Sequence, residues 1–74
     1  MSIHVGIAYP PHREEGVAEF HVEHDGIIDI PAEIFRSNGR LMIGLYSRND
    51  GLAWEYSLSD FLAAIAAGIG TLQA

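Results

Sequence analysis

Seventy-four residues make one domain, 1–74, near the lower size at which a hydrophobic core can hold a chain folded. Hydrophobic residues form 49% of the chain, which argues against disorder, and the absence of cysteine excludes disulfides and thiolate zinc sites as sources of stability. Ten carboxylates stand against four arginines and no lysine, a net charge of −6. That balance disfavours nucleic acid and anionic membrane, whose phosphates need cations, and favours a basic partner met by salt-sensitive association.

The first predicted strand is Ile3 to Tyr9, where Ile3, Val5, Ile7 and Tyr9 alternate with His4, Gly6 and Ala8. Pro10-Pro11 ends it, because neither proline can donate to a ladder. His12 to Gly16 reads as a charged loop. Val17 to Glu23 is the second strand, with Phe20 and Val22 on one face and Glu19, His21 and Glu23 on the other. A third strand, Ile27 to Ile30, follows His24-Asp25-Gly26. A two-residue loop at Asp25-Gly26 would set Val22 opposite Asp29 and Phe20 opposite Pro31. A three-residue loop pairs Val22 with Ile28 and Phe20 with Ile30, apolar against apolar, and is the expected register.

Pro31 to Phe35 is compatible with a short helix or a turn, and Ser37-Asn38-Gly39 stops or turns the chain. Leu41, Ile43 and Leu45 mark a fourth strand, and Leu52, Trp54 and Tyr56 a fifth, with Asn49-Asp50-Gly51 as the hairpin signal between them. The period then changes. Ser57 sits three residues before Asp60, a capping-box-like start. Leu58, Leu62, Ile65, Ile69 and Leu72 recur at helical spacing, with fraying or termination expected at Gly68 and Gly70. The expected fold is α+β: an antiparallel sheet of about five strands packed against one C-terminal helix.

Three features bear on function. The helix is apolar on its flanks as well as on its stripe, and carries no charge after Asp60. A sheet covers only one side of such a helix, so Phe61, Ala64, Ala67 and Gly68 are candidate self-association residues, Ala64 and Gly68 allowing close backbone approach. The second strand presents Glu19, His21 and Glu23 on one side at roughly 6.6 Å intervals, and the expected register adds Asp29 opposite His21. Glu14, Glu15 and Asp25 lie in adjoining loops, so this acidic hairpin is the candidate partner-binding surface. Lastly, His21 and His24 differ by an odd number on a strand and face opposite ways, so no metal site is assigned and no cofactor is expected.

No Gly-x-Ser-x-Gly elbow or phosphate loop is present, and the chain is too short to furnish a deep pocket by itself, so an enzyme is not expected. Ser2 to Tyr9 lacks the basic start of a signal peptide, and Phe61 to Ile69 falls short of the roughly 20 residues of a membrane span, so a cytoplasmic protein is expected.

Ile30-Pro31-Ala32-Glu33-Ile34 resembles the I-P-x-E-I turn of the AbrB-type swapped-hairpin transcription factors and antidotes, over Ile27 to Gly39. That resemblance implies DNA binding. Only Arg36 and Arg40 supply the basic residues such members carry around the turn, and the long apolar C-terminal helix departs from the pattern. In size, acidity, lack of cysteine and sheet-plus-helix layout, the whole chain resembles the small inhibitors encoded by phages and mobile elements, the anti-CRISPR and toxin-neutralising immunity proteins. This resemblance of type, carried by no diagnostic motif, implies stoichiometric binding to a basic, nucleic-acid-handling protein. The alternative from another class is a structural or regulatory homodimer assembled through the helix.

Overall fold

Alternating apolar residues form a four-stranded antiparallel meander between His4 and Leu45, and a 16-residue helix closes it. The computed structural model describes residues 3–13 and 15–73. Its elements are β1 (His4–Ala8), β2 (Val17–His24), β3 (Ile27–Ser37), β4 (Arg40–Leu45) and α1 (Leu58–Gln73), with strand order β1-β2-β3-β4. The fold is α+β as expected, but the sheet has four strands instead of about five. Leu52, Trp54 and Tyr56 alternate like a strand without pairing with one. The chain leaves the sheet after Leu45, and the two aromatic rings pack side by side over the helix start, 5.9 Å between centroids.

The β2–β3 register is the one the apolar pairing argument rejected. Asp25 and Gly26 both have positive φ, 51° and 75°, so the connection is a two-residue loop of the type that follows strand twist. His24 therefore pairs with Ile27, and Val22 with Asp29. Phe20 nevertheless faces Ala32, not Pro31, because the register shifts by one residue between Phe20 and Val22. His21 alone on β2 spans the position where β3 carries both Ile30 and Pro31. This is a β-bulge, and Pro31 turns its nitrogen toward Tyr46 just past the end of β4, where the indole N–H of Trp54 serves the Tyr46 carbonyl in place of the missing donor. The bulge absorbs the mismatch that a regular two-residue hairpin would have created. Consequently Pro31 to Phe35 is neither helix nor turn but the middle of an eleven-residue strand. Asn38 and Gly39, also both at positive φ, form the next tight turn.

The core lies between the sheet and α1. Ala18, Phe20, Ala32 and Ile34 from β2 and β3 meet Ala64 of the helix, with Val5, Phe61, Ile65, Ile69 and Leu72 packed around them. Small residues on both layers bring the backbones close: a Cβ on Gly68 would stand 2.9 Å from Ile34 Cδ1. Gly68 thus seats the helix instead of ending it, and α1 runs on through Gly70 to Gln73, with Thr71 Oγ1 donating to the Ala67 carbonyl. At the other end Ser57 Oγ accepts from the Asp60 N–H at 3.0 Å, the expected cap. The face seated on the sheet centres on Ala64 and Gly68, so Leu58 and Leu62 of the predicted stripe are left exposed.

Candidate protein-binding surface

The two faces of the sheet are unlike. Glu19, His21 and Glu23 alternate with Ala18, Phe20 and Val22 along β2; Ala18 and Phe20 are sealed under the helix and Val22 is buried on the same side, so the three polar side chains project from the opposite, outer side. Glu23 and Asp25 are exposed, as is Glu15 in the β1–β2 loop, while Glu19 is half-buried and accepts a hydrogen bond from the neighbouring His21 ring at 3.0 Å. Glu14 lies outside the described residues. Glu19, His21 and Glu23 thus share one face of β2, as their alternation predicts. Beside Glu23, its cross-strand partner Ile28 is exposed, and Ile30 is open next to it.

Asp29 belongs elsewhere. The two-residue loop puts it opposite Val22, on the helix side, where it is buried. There Asp29 Oδ2 lies 2.5 Å from His24 Nε2, and Asn49 Nδ2 donates to Asp29 Oδ1 at 2.7 Å. Trp54 closes over this group edge-on to the His24 ring, and its indole N–H reaches the Tyr46 carbonyl. The stack continues through Tyr56 and Phe61 to Phe20. Burial raises the Tyr56 hydroxyl pKa above the ordinary tyrosine value; Arg48 opposes this and Asp29 adds to it. These contacts fasten the 46–57 segment over the end of the sheet.

A second acidic group went unnoticed in the sequence. Glu33 lies on the outer side of β3 but is buried, because Arg13 folds back over it. Arg13 donates to Glu33 Oε1 at 2.9 Å, and its guanidinium carbon sits 3.6 Å from the Phe35 ring centroid. Burial opposes ionisation of Glu33, but hydrogen bonds from Tyr46 and Arg13, with the charges of Arg13 and His12, outweigh it and hold the pKa below the ordinary glutamate value. The hydrogen bond to Glu33 in turn raises Tyr46, with burial adding to it. The outer side is therefore divided. Around Glu33 it is covered by the Arg13–Glu33–Phe35 group, and on β2 it carries open carboxylates.

The candidate self-association residues are split by the helix seating. Phe61, Ala64 and Gly68 pack inward, Phe61 edge-on to Phe20 at 5.8 Å, and only Ala67 of the four is exposed. A second copy cannot reach Ala64 and Gly68 while the sheet occupies them. His21 and His24 do lie on opposite faces, and among the described residues no three His, Asp or Glu side chains converge as metal ligands. No described helix is long and apolar enough to cross a membrane.

What fold and surface define is an α+β domain, a four-stranded meander under one helix, with acidic side chains on the outer face of β2. Comparison with protein-family models, curated proteins and solved structures finds no match for this chain.

Proposed function

We propose that this protein is a non-enzymatic inhibitor or binding protein of the cytoplasm. It docks the outer side of its β2–β3 ribbon on a cationic surface of a basic, nucleic-acid-handling protein and blocks that surface stoichiometrically. The observation that carries the reading is the exposed Ile28 beside Glu23, with Glu19 and Asp25 on the same ribbon. An apolar centre rimmed by charge is how protein interfaces are organised, and a carboxylate row complements a groove built for phosphates. Net charge of −6 favours rapid encounter with such a partner. The His24–Asp29 pair supports a non-catalytic reading, because both carboxylate oxygens are engaged and Trp54 lies over the imidazole.

The test compares capture by the immobilised wild-type protein with capture by a Glu19→Arg/Glu23→Arg variant, each challenged with duplex DNA. The expected result is a basic nucleic-acid-binding protein retained by wild type, displaced by DNA and by salt, and lost from the variant while its circular dichroism is unchanged. A folded variant that retains the same protein equally well would overturn the assignment.

A further inference from the structure

We infer that β4 is a dimerisation edge: two copies join by antiparallel pairing of β4 about a two-fold axis through Ile43, forming one continuous eight-stranded sheet. This rests on the edge geometry and not on the acidic side chains of β2, which lie two strands away and stay open in the dimer.

The backbone of the helix lies close to β1, β2 and β3, and none of its Cα atoms comes within 8 Å of one in β4. The helix-facing side chains of β4 are left exposed, Leu41 at 39%, Ile43 at 42% and Leu45 at 72%, and Leu58 and Leu62 of α1 are 72% and 54% exposed. Natural sheets protect such an edge with lysine, proline, bulges or covering loops. From Leu41 to Leu45 this strand has none of the first three, and its pairing with β3 is regular throughout.

The hydrogen-bond phase of the edge is self-complementary. Tyr46 N donates to the Pro31 carbonyl at 2.9 Å, which makes Tyr46, Gly44, Met42 and Arg40 the residues bonded to β3 in the alternating antiparallel pattern. Leu41, Ile43 and Leu45 accordingly direct their N–H and C=O groups outward. An axis through Ile43 sets Ile43 against Ile43 of the second copy and Leu41 against Leu45. All three outward-bonding residues then pair with one another, and all three apolar side chains meet on the helix side. On the outer side Arg40, the one charged residue of β4, falls opposite Tyr46 of the second copy, a cation facing an aromatic ring, and Met42 falls opposite Gly44. No like charges oppose.

The chain exposes more surface than a compact monomer of its mass. A compact monomer of 8.1 kDa has an accessible surface of about 4,500 Å², and this chain has 5052 Å², an excess of roughly 550 Å². A standard interface takes about 800 Å² from each partner. The open apolar hollow of about 360 Å³ bordered by Pro31, Leu45, Tyr46, Trp54 and Leu58 adjoins the same edge, where Leu41 of the second copy would arrive.

Sedimentation of the whole protein over a wide concentration range reads the outcome. The expected species has twice the 8.1 kDa chain mass, and Leu45→Lys, at a position 72% exposed, halves it without loss of helix signal. Register is read by cysteine, since the chain has none of its own. Facing Ile43 positions would stand about 5.5 Å apart between Cα atoms, within the range a disulfide spans. Ile43→Cys should cross-link under mild oxidation. Leu41→Cys, roughly 13 Å from its counterpart, should not. A wild-type monomer at high concentration overturns the inference. So does a dimer that survives Leu45→Lys but dissociates with Ala67→Glu, which would transfer the interface to the helix.

Discussion

Replacing Gly68 and Gly70 separately by alanine measures how the helix is held. Both glycines lie in the last part of α1, so by propensity alone alanine should stabilise either position, by about 0.5–1 kcal/mol. At Gly70 a Cβ would meet nothing within 4 Å, so that gain is realised in full. At Gly68 the same atom would stand 2.9 Å from Ile34 Cδ1, 3.4 Å from Ala18 Cβ and 3.5 Å from Phe20 Cε1. Ile34 is buried, so its δ-methyl cannot swing into solvent, and overpacking of this kind costs about 1–3 kcal/mol. The Gly68→Ala variant should therefore be neutral to about 2 kcal/mol less stable than wild type, and the gap between the two variants about 1–3 kcal/mol. Urea unfolding followed by the fluorescence of Trp54, the single tryptophan, gives both values. Ile34→Val removes the opposing methyl. Alone it should cost about 0.5–1.5 kcal/mol, and in the Gly68→Ala background less, or nothing. Equal stabilisation by alanine at both positions would mean that the helix does not rest on Ile34, and the packing described here would be wrong.

Two further perturbations address the remaining contacts. Because Glu33 ionises more readily folded than unfolded, its contribution is complete above the unfolded value near 4.5 and is lost as pH falls through the lower folded value. Glu33→Gln should thus lower stability at neutral pH and flatten its decline below pH 4.5; an unchanged acid limb in urea titrations would refute the ion pair with Arg13. Trp54→Ala should cost about 2–3 kcal/mol, less than the roughly 3–5 of a fully buried aromatic, because the ring is only partly covered. It should also abolish the near-ultraviolet dichroism of the aromatic stack, and a variant as stable as wild type would show that the 46–57 segment is not fastened by that ring.

The elements whose periodicity is local were legible. Ala18 to Glu23 alternates because one side is buried and the other open, and the Ser57 cap announces the helix three residues before Asp60. The β2–β3 register was not legible by assuming unbroken alternation, since that assumption makes Phe20 face Pro31 and favours the longer loop. Proline in mid-strand was the overlooked signal, because an interior strand tolerates it at a bulge, and the bulge restores apolar pairing at Ala32 after the two-residue loop has sent Asp29 inward. Asn49 meets Asp29, and Arg13 meets Glu33, each across twenty residues of sequence, a separation that no local pattern encodes. The apparent fifth strand failed for a related reason. Trp54 and Tyr56 have strand-like spacing, but stacking over Phe61 takes the place of pairing.

The docking surface is tested most directly by a photo-reactive side chain placed at His21, at Ile28 or, as the control on the far layer, at exposed Ala66, followed by irradiation with the captured partner. Adducts from His21 and Ile28 with none from Ala66 are predicted. Adducts formed only from Ala66 would contradict the reading of the β2–β3 ribbon as the contact.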